Sequence, residues 1–322
     1  MICSLDAELL MNYGLKIGEL KPDAEKKLMA MQTHTSRSNN TKKRFHNTDP
    51  KDLVSPEEFK KMSGKKYRQY LSSHIRTQPN KGLNPSSLEA VLVNTNLNMI
   101  RGRLDSDTYL LFKDGTAYGD CKIPIQDLNV KMSKILEGPA YSKYPKWTRW
   151  KKKGGKYYIQ NLKTKQWKLL KKAQKALPGK KGERLNNTFW TFSGSQFFGS
   201  HQGYYKLMPN GRFEIYNFTM RQNDLRAQDM DGTIPYLGTV SESDKTGSTA
   251  NSVAIGNNFG GGASHKRKDG NKNTGTYYID GYTIELHHDN GWVHRELFHF
   301  PSKDKKKSIQ IKDTIYWVRE YD

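Results

Sequence analysis

Gly275-Thr-Tyr-Tyr-Ile-Asp-Gly-Tyr-Thr-Ile-Glu-Leu-His-His-Asp-Asn-Gly-Trp-Val-His-Arg-Glu-Leu-Phe-His-Phe300 is the stretch whose reading decides the fold. Its residues alternate in character with period two, and it is cut at intervals by turn residues. A period of two puts successive side chains on opposite faces of a strand, and Asn-Gly is a strong hairpin signal. Three antiparallel strands follow, near Gly275–Ile279, Tyr282–His288 and Trp292–Phe300. An upstream segment has the same shape: Gly203-Tyr-Tyr-Lys-Leu, a turn, then Gly211-Arg-Phe-Glu-Ile. Further strands are expected near Thr188–Phe192, Gly203–Leu207, Arg212–Phe218, Ser308–Ile311 and Thr314–Val318. Eight or more short strands without intervening helices predict an antiparallel barrel or sandwich, closed so that edges are not left bare. The long Gly/Ser/Asn-rich insertion at 221–274 departs from a compact barrel. Within it, Gly256 to Lys268 combines glycines with cations, lacks the Gly-Lys-Ser/Thr ending of a phosphate-binding loop, and reads as a flexible basic loop.

Upstream of the barrel, Tyr109-Leu-Leu-Phe112, Lys-Asp-Gly115 and Thr-Ala-Tyr118 form a hairpin. Trp147 to Leu170 reads as a three-stranded meander turning at Gly154-Gly155. Lys171 to Gly182 is a basic linker. Residues 1–104 read as mostly helical, with helix starts at Pro22 and at Ser55-Pro-Glu-Glu58. The second helix runs toward Ile75, weakened at Gly64, and a third is expected over Ser86–Thr95. A mobile polar loop near 33–50 separates the first two. The fold class is therefore α+β, mainly β. A helical region (1–104) precedes a basic hairpin and meander region with its linker (105–182), and an antiparallel barrel (183–322) follows.

The closing pattern Gly275 to Phe298, with Tyr109 to Gly115 and Trp147-Thr-Arg-Trp150 upstream, resembles lipocalin-like barrels of uncharacterised bacterial proteins. The likeness spans roughly residues 105–322 and rests on strand and turn residues. It implies a fold and supplies no site.

Composition bounds the function. The chain of 322 residues carries 54 Lys+Arg against 32 Asp+Glu, a net charge of +22, and a mean hydropathy of −0.88. No run reaches the roughly eighteen apolar residues of a membrane-spanning helix. No secretory signal is visible at Met1 to Leu10, so a cytoplasmic location is the default, with signal-independent export as the alternative. Cys3 and Cys121 are the only cysteines, which excludes a disulfide scaffold and cysteine-based zinc fingers. No cofactor motif is present, and the oligomeric state is not legible.

The charge is concentrated. Between Tyr141 and Arg184 stand sixteen Lys and Arg against Glu183 alone, a balance of +15, and seven aromatic residues are interleaved with them. Cations for phosphates and flat rings for bases are what a single-stranded nucleic-acid groove needs. The candidate polyanion-binding set is Lys143, Lys146, Trp147, Arg149, Trp150, Lys151, Lys152, Lys153, Lys156 and Tyr158. Lysine dominates this segment, and a point charge suits unspecific anion contact better than base reading. The partner is then a nucleic acid, an acidic glycan or an anionic lipid surface. The bland alternative is a solvated face that keeps the protein soluble.

The last long hairpin holds His287, His288, His294 and His299. A two-residue turn at Asn290-Gly291 would set His287 opposite His294 and Glu285 opposite Glu296, a four-ligand face for zinc. A three-residue loop would instead pair Glu285 with Arg295 and send His294 and Glu296 into the lumen, where polar groups could hold a small ligand. His287, His294 and Glu296 are therefore candidate pocket or metal residues, with no metal assigned. No nucleophile elbow or zinc-hydrolase helix is present. The reading is a non-catalytic binding protein. The rivals are a nucleic-acid-binding protein with the meander as its main site, and a histidine-dependent nuclease or other hydrolase.

Overall fold

The computed structural model describes residues 53–98, 103–195, 199–222, 236–244, 247–256, 259–267, 272–301 and 307–318. The helix start at Pro22 and the polar loop near 33–50 lie outside them. Among the described residues the first element is α1 (Pro56–Lys61), which Ser55 caps by accepting a hydrogen bond from the Glu58 N–H. Met62 and Ser63 are extended and Gly64 has a φ of +55°, so the expected single helix is broken, and α2 (Gly64–Ile75) starts afresh.

The helix expected over Ser86–Thr95 is a strand, β1 (Leu88–Asn98). Val91 and Val93 point to one buried cluster while Ala90 and Leu92 point to another on the opposite face. A strand buried on both faces reads as a continuous apolar run, and such a run carries no period that separates it from a helix. β1 pairs antiparallel with β2 (Arg103–Phe112), which turns at Asp114-Gly115 into β3 (Thr116–Tyr118). After α3 (Val130–Leu136) come β4 (Trp147–Lys153), β5 (Lys156–Gln160) and β6 (Trp167–Leu169), the expected meander. Within the basic linker lies β7 (Ala173–Lys175), which pairs with β1. The strands form one half-barrel sheet in the order β6-β5-β4-β3-β2-β1-β7. Phe59 of α1 and Ile75 of α2 pack with Val91, Leu110, Tyr118 and Trp147 on one face.

The eight strands expected in the C-terminal part are the eight barrel strands. They are β8 (Asn187–Ser195), β9 (Gly199–Leu207), β10 (Arg212–Gln222), β14 (Thr274–Asp280), β15 (Thr283–His288), β16 (Val293–His299), β17 (Ser308–Ile311) and β18 (Thr314–Val318). β18 pairs with β8 and β9 with β10, which closes an antiparallel barrel. Phe189, Phe213, Phe298 and Phe300 are fully buried and fill the lumen with Leu207, Ile279, Ile284 and Ile309. On the outside, Trp317, Trp190, Tyr204 and Tyr216 stand directly opposite one another across four strands. Ring centroids in this row are 4.7 Å apart for Trp190–Tyr204 and 5.4 Å for Tyr204–Tyr216.

Most of the described part of the insertion is strand. It contains β11 (Tyr236–Asp244), β12 (Gly247–Gly256) and β13 (Phe259–Arg267), and the last of these occupies most of the segment read as a flexible basic loop. β10 is long enough to serve both parts: Arg212–Glu214 pair with β14, and Asn217–Gln222 pair with β11.

The two sheets are joined by polar contacts. Arg295 on β16 makes a bidentate pair with Asp127, at 2.9 Å for both Nε–Oδ2 and Nη2–Oδ1, and also donates to Glu285 and Asn80. Gln126 donates to the Asp280 carbonyl at 3.0 Å and accepts from Thr283 Oγ1 at 2.6 Å. The buried Thr108, His299 and Gln310 side chains meet between β2 and β16–β17.

Candidate polyanion interface

The β4–β5 turn is made by Gly154 and Gly155, with φ of +55° and +75°, the conformation of a two-residue hairpin loop. It fixes Lys153 opposite Lys156, Lys152 opposite Tyr157, Lys151 opposite Tyr158 and Trp150 opposite Ile159. Trp147, Arg149, Lys151, Lys153, Lys156, Tyr158 and Trp167 therefore share one face. Trp150, Lys152, Tyr157 and Lys168 share the other.

The structure divides the candidate set. Trp147 is only 7% exposed; it packs 5.3 Å from Phe112 and 5.1 Å from Tyr118, with the Lys134 ammonium over its ring. Trp150 donates its indole N–H to the Phe112 carbonyl at 2.8 Å and leans on Tyr157. The Trp147 ring is consumed by the fold, whereas Trp150 is half-buried and held in place by these two contacts. Lys146 is also committed, with Glu137 at 3.1 Å and Asp120 at 3.8 Å. Burial works against its charge, but these two carboxylates outweigh burial and hold its pKa above the ordinary lysine value. Tyr158 is half-buried beside Leu169.

The remaining cations, Lys143, Arg149, Lys151, Lys152, Lys153 and Lys156, are exposed, as are Lys163, Lys165, Lys168, Lys171, Lys172 and Lys175. None of the twelve is ion-paired with a described residue. Lys153 directly opposite Lys156 is a like-charge cross-strand pair, an arrangement that disfavours the hairpin in the absence of an anion. Trp167 is 37% exposed with the Lys151 ammonium 4.2 Å from its ring centroid. It belongs with the exposed cations; only the cross-strand register, which the sequence alone did not fix, brings it beside Lys151.

The histidine hairpin adopts the three-residue loop. Glu285 pairs with Arg295, Leu286 with His294, and His287 with Val293. The two-residue register, with its four-ligand zinc face, is not formed. His287 lies outside, hydrogen-bonded through Nε2 to Glu285. By register His294 and Glu296 share a face with Leu286 and Ile284, but His294 is exposed rather than enclosed in the lumen, and Glu296 is half-buried. His287 and His294 thus stand on opposite sides of the wall and cannot flank one substrate. Among the described residues no group of three His, Cys, Asp or Glu is placed to hold a metal ion. His294 sits 5.0 Å from the His288 ring and 5.3 Å from Trp292. Burial raises the Glu296 pKa and lowers that of His288. Glu296 Oε2 has no hydrogen-bond partner among the described residues.

Compared with known proteins, the chain matches no family model, no curated protein and no solved structure. Among the described residues no helix is long and apolar enough to cross a membrane.

Proposed function

We propose that this is a non-catalytic binding protein that attaches to a polyanion through the β4–β6 meander, with the barrel as its rigid companion and the lipocalin-like likeness one of architecture. The observation that carries this reading is the unneutralised charge of the hairpin, above all Lys153 opposite Lys156. A fold that only needed solubility gains nothing from like charges set face to face, whereas an anion between them removes the repulsion. With Trp147 built into the core and Trp150 half-buried and hydrogen-bonded, contact is dominated by charge and its affinity falls steeply with salt.

The test is binding of fluorescent heparin and single-stranded oligonucleotides between about 50 and 200 mM salt. A variant with Lys151, Lys152, Lys153 and Lys156 replaced by Gln is measured in parallel. Each phosphate contact on a single strand contributes about 0.7 to the slope of log affinity against log salt, so the variant's slope is expected to be shallower by roughly 3. An unchanged slope would remove the meander from the interface.

A further inference from the structure

Beside the first residues of β4 lies a cleft of about 190 Å³ lined by aromatic side chains. Phe59 forms its floor. The Tyr67 ring lies 5.2 Å from Phe59 and the Tyr141 ring 5.8 Å from it, edge-on. Tyr144 stands at the rim, 86% exposed, and Met62, Ser63, Ser142 and the two lysines Lys60 and Lys143 complete the lining. Neither lysine is ion-paired with a described residue.

Three features define the occupant. The volume falls below the roughly 300 Å³ at which pockets for drug-sized ligands begin, so the cleft accepts one ring and little more. The accessible walls are mainly apolar, made of ring faces and Met62, which suits a flat π-face; a sulfated sugar ring, polar around its whole rim, would meet the same apolar surface with only the tyrosine and serine hydroxyls and two lysines to bond with. The rim is cationic, and the basic track follows it along the chain. Lys143 and Tyr144 precede β4 by a few residues, and Arg149 and Lys151 lie on the same sheet face as Trp147, which shares its cluster with Phe59. At about 3.4 Å per residue, the track from Trp147 to Lys151 is roughly 14 Å long.

We propose that the cleft takes one unstacked base of a single-stranded nucleic acid whose phosphates run on along Lys143, Arg149 and Lys151. The inference rests on the polyanion reading and narrows it to nucleic acid. It assigns the ring contact to Tyr144, with Tyr67 and Tyr141 as walls, and takes it away from Trp147 and Trp150.

The test uses the full chain, a fluorescent oligothymidylate, the same oligomer with abasic sites, and heparin. Tyr144→Ala removes an exposed ring that no core residue needs, Tyr144→Phe keeps the ring, and Lys151→Gln/Lys153→Gln/Lys156→Gln weakens the track. Stacking of one base predicts a 5- to 100-fold loss of oligothymidylate affinity in Tyr144→Ala. Tyr144→Phe should restore it, and heparin and the abasic oligomer should change less than about twofold. The lysine variant should weaken every probe. Oligothymidylate affinity that falls with the lysines but not with Tyr144→Ala overturns the cleft while leaving the polyanion reading intact. Equal losses for heparin and oligomer in Tyr144→Ala overturn it too, since the ring would then serve any anionic chain. Insensitivity of all probes to the lysine variant, or no binding at all, overturns both readings.

Discussion

Arg295→Met tests whether the two sheets are held together by the ion pair described between them. Arg295 has a side-chain exposure of 14% and its partner Asp127 of 6%, so the pair is largely removed from water. Deleting the guanidinium takes away both bonds to Asp127 and leaves that carboxylate with the Asn80 N–H at 2.9 Å. Breaking a buried pair in this way costs about 3–5 kcal/mol. The low end applies here, because Glu285, the other acceptor, is 23% exposed and can be rehydrated. The expected loss is about 3 kcal/mol, more than a hundredfold in the folding equilibrium. The assay is urea unfolding of the parent, Arg295→Met, Asp127→Leu and the double variant. Because the double variant removes both buried members of the pair and leaves only the more exposed Glu285 without its arginine, it should recover much of the loss, with a coupling energy of about 2 kcal/mol. Single effects that add within about 0.5 kcal/mol would refute the argument that these groups act as one unit. The pH dependence has a definite sign. Hydrogen bonds from His287 and Arg295 hold the Glu285 pKa below the usual carboxylate value. Its contribution is therefore present above the unfolded value of about 4.3 and is lost as pH falls through the folded one.

Other outcomes are expected from single residues. Glu296 has its pKa raised by burial, so its ionised form costs stability as pH rises from about 4.3 through the folded value. Glu296→Gln should be more stable than the parent at pH 7 and no different at pH 3.5 in urea midpoints, and an equal difference at both would contradict this. Trp147→Ala should lower stability by about 3–5 kcal/mol, as for a core aromatic, while the folded fraction binds heparin at parental affinity. Gly275→Ala puts a Cβ inside van der Waals contact with the His287 carbonyl oxygen on the neighbouring strand. A loss of about 1–3 kcal/mol in thermal unfolding is expected, and a neutral result would mean that β14 and β15 can part locally.

The barrel was legible because its strands carry their own punctuation. Asn290-Gly291 and the echo of Gly203–Ile215 in Gly275–Leu286 mark turns at short intervals, and each half-buried strand keeps a period of two. β1 was misread because both its faces are buried. β11 to β13 were missed because Gly, Ser, Thr and Asn carry no apolar alternation, and their pairing depends on the extension of β10 past the barrel. At the candidate site the cations were visible as a count, but exposure was not. Trp147 and Tyr144 look alike as members of a basic aromatic run, and only packing against Phe112 and Tyr118 separates the core ring from the surface one. The aromatic cleft joins Phe59 and Tyr67 to Tyr141 and Tyr144, residues far apart in sequence, and no local pattern announces such a meeting.

The closure of the barrel has a kinetic consequence. Its seam joins β8, the first barrel strand in the chain, to β18, the last, through Phe189–Val318 and Trp190–Trp317. Contacts this remote require a long loop to be ordered before they return any energy, so the seam is expected to form late. In the half-barrel sheet only the β1–β7 pairing, with Leu92 opposite Lys175, closes a long loop; the β1–β2 and β3–β4 pairings are between near neighbours in the chain. During the interval β8 presents an unpaired edge next to a phenylalanine-rich lumen still open to water, and another unfinished chain offers the same edge in return. The aggregation hazard of this protein therefore sits at one step of its folding, the wait for β18.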